Sequence, residues 1–329
     1  MLSESQWDTF ERDGFVRLGQ LLDADAIAEL AQRADDLASG AVLNPQIQLQ
    51  LDTGGAYDEL PEAVTHFDSA TRLYRKIQGL ESDPLFSPLV HHPLFMNICA
   101  RLYGAHAPVS LFRAMIMNKP AGQGTYLPWH QDAGDVWKLD RDPLVTVWIA
   151  LDPATCANGC VEVIPGSHRL GLLSAHGSTV APENVQRYCP DEKASPLELE
   201  PGQGVLLHNW LIHRSGINPS GQPRRAFTAC YIDGRTRSVL TGNHFPLLSG
   251  ALDETPYPYV QQLRIDLAAL RHSHSKAEEY AHSLEAEVAK LRRALQDRPA
   301  TDSAQESGAL EMPPCVLGRI YRSIAQRMR

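Results

Sequence analysis

The reading of this chain turns on Tyr126-Leu127-Pro128-Trp129-His130-Gln131-Asp132. Its core is His-x-Asp. On an extended backbone, residues i and i+2 project to the same face, so the His130 imidazole and the Asp132 carboxylate can reach one ion. A neutral nitrogen and an anionic oxygen suit a borderline divalent metal, and two histidines plus one carboxylate form the facial triad of non-haem Fe(II) oxygenases. A lone His-x-Asp is also a common pair of surface polar residues. The assignment therefore depends on what the remaining sequence supplies.

The flanking sequence is rich in strand patterns. Residues 109–118 (VSLFRAMIMN) alternate, LVTVWIALD is β-rich, and NGCVEVIPGSH reads as a hairpin return across Asn158-Gly159. LELEPGQGVLLHNWLIH reads as two strands around Pro201-Gly202, the second ending at His213, and RRAFTACYID as one more. Short strands at close intervals, broken by Gly, Pro and Asn, predict a sandwich or barrel without βαβ alternation. Upstream, a short helix leads into an extended run at Gly14–Leu18. A second helix has Asp23 or Asp25 as its cap, Ile27, Leu30, Ala31, Ala34 and Leu37 on one face, and Gly40 as its stop. Helical patterns return over Val64–Leu80 and in HHPLFMNICARLYG, and these helices are expected to form a layer against the sheet. Residues 41–61 read as a loop or irregular arm, and 169–196 as a long irregular segment.

Composition narrows the functional classes. A net charge of −9 argues against nucleic acid as the main partner. No apolar run is long enough for an integral membrane segment, and MLSESQWDTFERDG carries no secretory pattern, so a cytoplasmic protein is expected. The six cysteines form no C-x-x-C and are expected to be reduced, buried thiols. Beyond Pro258, Leu263, Leu267, Leu270, His274, Ala277, Ala281, Leu284, Val288, Leu291 and Leu295 recur in a heptad seam. The expected organisation is a catalytic domain over 1–258, a long heptad helix over 259–296 that either docks on its own domain or forms a homodimer, and a linker with a short basic amphipathic helix over 297–329.

A triad needs a second histidine. His213 is followed by Arg214-Ser215-Gly216; His208, His168 and His176 are its rivals. His208 and His213 differ by five positions and so face opposite ways on an extended strand. An oxygenase of this class also needs a dicarboxylate cosubstrate, 2-oxoglutarate, whose far carboxylate is suited to a buried bidentate arginine. Arg224 and Arg225 open the last strand. Arg224 shares its side with Ala226, Thr228 and Cys230, which leave room; Arg225 shares its side with Phe227 and Tyr231. Face parity favours Arg224.

Taken together, His130-Gln131-Asp132, VWIALD, NGC with VIPGSH, LIHRSGIN and PRRAF, along with TFERDGFVRL, YRKIQGL and HPLFMNICARLYG, resemble the phytanoyl-CoA dioxygenase family of Fe(II)/2-oxoglutarate oxygenases over roughly residues 5–235. The resemblance implies a mostly β fold with flanking helices around a double-stranded β-helix, or jelly-roll, core. It implies iron held by His130, Asp132 and His213, and 2-oxoglutarate contacted by Arg224, Ser215, Trp148, Met115 and Lys76, the last expected on a helix. With O2 as the remaining cosubstrate, the expected reaction is oxidation of a C–H bond of a small molecule, releasing succinate and CO2. A carboxylate at Asp132 leaves no vacant ligand position for a halide, which favours hydroxylation, desaturation or ring closure. No cluster of basic residues suited to CoA phosphates stands out, so a natural-product, sugar or amino-acid-like substrate fits as well as an acyl-CoA. Two other classes compete: a zinc hydrolase or isomerase on the same scaffold, and a non-catalytic scaffold protein assembling through the heptad helix.

Overall fold

The computed structural model describes residues 1–252 apart from 56, 65–70, 72 and 174–177. His176, the heptad helix, the linker, the basic C-terminal helix and any dimer seam therefore lie outside the described residues. The chain begins with α1 (Glu4–Asp13), β1 (Phe15–Gln20), α2 (Ala24–Ser39), β2 (Gln48–Leu51), β3 (Tyr74–Gln78), α3 (Ser87–Val90) and α4 (Pro93–Tyr103). It continues through β4 (Val109–Lys119), β5 (Leu127–Gln131), β6 (Val145–Ala150), β7 (Val161–Val163), β8 (Ser178–Thr179) and α5 (Pro182–Tyr188). It closes with β9 (Ser195–Leu197), β10 (Gln203–His208), β11 (His213–Ser215), β12 (Arg224–Asp233) and β13 (Leu247–Ser249).

Two antiparallel sheets result. The larger runs β1-β10-β6-β12-β4-β3-β2, with β13 also on β4, and the smaller runs β8-β5-β11-β7-β9. Its central strands are buried on both faces, and the period-2 alternation of a strand sorts each side chain to one of two cores. Val145, Val147 and Ile149 of β6, with Phe227, Ala229 and Tyr231 of β12, pack under the helices beside Leu30, Ala34, Leu37, Phe95 and Ile98. Trp148 and Ala150, with Ala226, point the other way and meet Val161, Val163 and Leu197 of the smaller sheet. Phe86 stacks on Phe227 at 5.9 Å, and the Tyr231 hydroxyl donates to the Val90 carbonyl at 2.9 Å. Burying one such aromatic stabilises the fold by about 1.5–3 kcal/mol relative to leaving it exposed.

The first helix shows how local chemistry sets an element. Ser3 and Gln6 form a reciprocal capping box at its start. Gly14 ends it with φ of 80°, and a Cβ there would sit 2.5 Å from His168 Nδ1, so both conformation and space require glycine.

Several expectations need correction. Residues 74–78 are a strand, not the end of a helix: Tyr74, Arg75 and Ile77 are buried, and Lys76 pairs in register with Met117 of β4. The 41–61 arm contains β2, and 169–196 contains β8 and α5. Asn158-Gly159 is not a two-residue hairpin turn; Cys156–Asn158 form a 3-10 turn. The strands before and after it, β6 and β7, belong to different sheets. GVLLHNWLIH is likewise two strands, β10 in one sheet and β11 in the other, so His213 begins a strand and does not end one. These crossings between sheets make the jelly roll. Cys99, Cys160, Cys189 and Cys230 are buried free thiols, but Cys156 is exposed. Among the described residues no helix is long and apolar enough to cross a membrane.

Candidate active site

His130 and His213 are cross-strand partners on β5 and β11. Their ring centroids lie 3.9 Å apart. Each ring is held by its own backbone: His130 Nδ1 lies 2.8 Å from the Pro128 carbonyl, and His213 Nδ1 lies 3.0 Å from the Leu211 carbonyl. A carbonyl only accepts, so Nδ1 carries the proton in both rings and each Nε2 presents a lone pair, the arrangement found in metal-ligating histidines. Asp132 completes the set, with Oδ1 3.9 Å from His130 Nε2 and Oδ2 3.7 Å from His213 Nε2. One donor atom from each residue lies within 4.8 Å of the others. Burial, then the neighbouring His213, lowers the His130 imidazole to about 3, which keeps it neutral. Burial alone would raise Asp132, but His213, His130 and Arg113 outweigh it and hold the carboxylate ionised. Two imidazoles with Nε2 turned inward and one carboxylate are a donor set for a divalent ion.

The residues between and beside the ligands fix them. Gln131, between the two ligands, is fully buried. It donates to the Gly171 and Trp210 carbonyls at 2.8 and 2.7 Å and accepts from Leu173 N–H at 2.7 Å. Asn209 clamps the backbone of Asp132: its carbonyl accepts from Asp132 N–H at 2.9 Å, and its side-chain amide donates to the Asp132 carbonyl at 3.0 Å. Asn209 was not among the expected residues; its position in the turn between β10 and β11 is a tertiary fact.

All eight expected site residues line one cavity of about 330 Å³: Lys76, Met115, His130, Asp132, Trp148, His213, Ser215 and Arg224. Arg224 is buried, with Nη2 donating to the Gly159 carbonyl at 2.9 Å and its guanidinium carbon 5.7 Å from the Trp148 ring centre. Its Nε is buried and has no partner. Burial lowers this guanidinium to about 10. Arg225, one residue on, faces the helices and meets Asp152 and Asp35.

The rival histidines lie elsewhere. His168 and His208 pack together with ring centres 5.0 Å apart, and His208 lies 6.1 Å from Phe10. His168 Nε2 contacts the Glu11 carbonyl at 3.1 Å, and His208 Nδ1 accepts from Trp210 N–H at 3.0 Å.

The sequence reading missed part of the lining. Lys119 is buried and donates to the Thr125 and Ser215 carbonyls; burial, then the charge of Arg224, lowers its ammonium to about 6. The cavity also holds basic residues that the sequence reading did not bring together: Arg75 and Lys76 of β3 and Arg113 of β4 all line it. The signal that could have found Arg113 and Lys119 is parity. They share a strand face with Met115, which was already expected to point inward.

A family model described as phytanoyl-CoA dioxygenase (PhyH) matches residues 10–226. A probable phytanoyl-CoA dioxygenase of Caenorhabditis elegans is 26% identical over 242 residues, covering 70% of this chain and 75% of the relative. Phytanoyl-CoA dioxygenase domain-containing protein 1 of Danio rerio is 32% identical over 212 residues, covering 62% and 70% respectively. Among solved structures, the non-heme monooxygenase ThoJ in its apo form aligns with a TM-score of 0.55 and 25% identity, covering 74% of this chain and 84% of its own.

Proposed function

Because this chain belongs to the phytanoyl-CoA dioxygenase family, we propose that it is an Fe(II)- and 2-oxoglutarate-dependent dioxygenase that oxidises a C–H bond of a small molecule. The proposal gives His130, Asp132 and His213 the metal, and Arg224, Ser215, Trp148, Met115 and Lys76 the cosubstrate. Bound there, Fe(II), 2-oxoglutarate and O2 supply the oxidising power, with succinate and CO2 as coproducts.

The observation that carries this reading is the unpartnered, buried Nε of Arg224 in the cavity that the triad also lines. An orphaned guanidinium N–H is costly unless a ligand satisfies it. The far carboxylate of 2-oxoglutarate is a suitable acceptor, because a planar anion can take Nε and one Nη together. A zinc hydrolase requires no dicarboxylate cosubstrate, so this atom favours the oxygenase. Around the reaction, each chain residue has a limited task. The backbone contacts at Nδ1 keep both imidazoles facing the ion. Asn209 keeps Asp132 in place, and Gln131 ties the ligand strand to the segment around Gly171–Leu173. Trp148 and Met115 exclude water from the cosubstrate.

The direct test is anaerobic addition of Fe(II) and 2-oxoglutarate to the protein. A weak visible charge-transfer band, lost in His213→Ala, is the expected result; absence of the band with metal bound would remove the reading. Self-association through residues 259–296 of a chain whose catalytic domain spans 1–258 is also proposed. It is tested by sedimentation of the full chain against Leu284→Asp.

A further inference from the structure

Arg224 is not the cavity's only unsatisfied arginine. Arg113 also lines it, its Nε is buried without a partner, and it makes no hydrogen bond or ion pair with a described residue. The two enter from opposite ends of one strand pair: Arg224 pairs with Lys119, and Cys230 pairs with Arg113, six residues back along β4. At about 3.3 Å per residue, these ends are roughly 20 Å apart along the sheet. Arg113 therefore stands at the other end of the strand pair from the residue that would take the far carboxylate of 2-oxoglutarate.

The setting of Arg113 is built for a ligand. Its guanidinium carbon lies 4.1 Å from the Trp137 ring centre and 5.1 Å from that of Phe112. The two rings stack at 5.0 Å. The aromatic contact holds the planar group in one orientation without consuming its N–H donors. Nearby charge is one-sided. Arg75 and Lys76 line the same cavity, burial pushing the Lys76 ammonium well below its usual value; Asp52 is engaged by Thr125, and the charge of Asp132 is assigned to the metal.

We propose that the substrate carries a carboxylate, and that Arg113, seated against Trp137 and Phe112, receives it at the end of the cavity opposite Arg224. This rests on the oxygenase reading for what happens to the substrate, but not for the binding itself. A fixed fork of N–H donors held against a stacked pair of flat rings suits a planar carboxylate better than a tetrahedral phosphate. The cavity's size suits a small molecule. Trp137 lies in the short turn that follows Asp132, so an anion held there places its substrate beside the metal ligand.

The test uses the full-length protein saturated with Fe(II) and 2-oxoglutarate without O2, titrated calorimetrically with phenylacetate, its neutral analogue phenylacetamide, and inorganic phosphate. Phenylacetate is expected to bind at least about tenfold tighter than the amide, as a charge-assisted pair is worth about 1.5–3 kcal/mol. Arg113→Gln should erase that preference, with a smaller effect on 2-oxoglutarate binding than on acid binding, and Arg113→Lys should restore part of the preference. Equal binding of acid and amide to the unaltered protein overturns the proposal, whatever the variants do. So does tighter binding of phosphate, or a loss in Arg113→Gln that falls on 2-oxoglutarate instead. Repeating the titration with the metal-free protein separates the two readings: an acid preference there, with no charge-transfer band on metal addition, would keep the anion site and remove the oxygenase.

Discussion

Arg224 and Arg225 are neighbours on one strand, yet the two faces of the sheet treat them differently. Arg225 has all three nitrogens partnered: Asp152 takes Nε and Nη2 at 2.8 and 2.9 Å, while Asp35 and the Ala31 carbonyl take Nη1 at 3.0 and 3.1 Å. Arg224 has one partner, a carbonyl, and a buried Nε with none. The histidines divide by the side of the sheet they face. His168 and His208 face α1 and settle into contacts with Glu11, Trp210 and Phe10. His130 and His213 use only Nδ1 on the chain and leave Nε2 for something else. Unpartnered atoms alone do not separate the two faces, since His168 Nδ1 and the Tyr74 hydroxyl are also buried without a partner. What marks the cavity face is that its incomplete groups converge on one space, where Arg224 and the triad line the same cavity.

The strongest break of this contrast is at the metal. Asp132→Ala or His213→Ala should reduce 2-oxoglutarate turnover by about 100-fold or more, while His208→Ala keeps it within about twofold in a succinate-release assay. Equal losses from His208→Ala and His213→Ala would abolish the distinction. Next come the arginines. Arg225→Ala leaves Asp152 and Asp35 short of their cation and should destabilise the protein by about 3 kcal/mol, read by urea unfolding, with little change in cosubstrate requirement. Arg224→Ala should do the reverse, raising the KM for 2-oxoglutarate by about 10–100-fold with a similar melting temperature.

Two smaller effects sharpen the comparison. Gly159 supplies the carbonyl under Arg224, has φ of 75°, and a Cβ there would meet the Gly216 carbonyl oxygen at 2.6 Å. Gly159→Ala should cost about 1–3 kcal/mol in stability and carry a modest rise in cosubstrate KM. The smallest effect is acid sensitivity. Burial, then the charge of His168, lowers His208 to about 4 from its ordinary 6.5. Between those values the unfolded chain binds the extra proton, so this group's contribution is complete above about pH 6.5 and is lost as the pH falls toward about 4. His208→Asn, which keeps an acceptor for Trp210 N–H, should flatten the fall in melting temperature over that window.

What was legible in the sequence was what alternation and short spacing encode. His130 and Asp132 are two residues apart, and Arg224 is sorted from Arg225 by its neighbours Ala226, Thr228 and Cys230. Both need only the period of a strand. What was not legible was which strands share a sheet. Asn158-Gly159 has the composition of a hairpin turn, but the chain crosses between sheets there, and no local signal records that. Lys76 was expected on a helix because Tyr-Arg-Lys-Ile-Gln suits either period, and its pairing with Met117 across forty-odd residues decided the matter. The cluster of Arg75, Lys76 and Arg113 was hidden for the same reason, since β3 and β4 meet only in the fold.

The direct pairing of His130 with His213 has a consequence for how such a protein can diversify. Hydrogen bonds between β5 and β11 set the spacing of the two imidazoles, not the length of chain that separates them. The loops that join the intervening strands can lengthen, shorten or be exchanged without moving that pair. Selection can thus rewrite the rim that meets a new molecule while the oxidising centre is inherited unchanged.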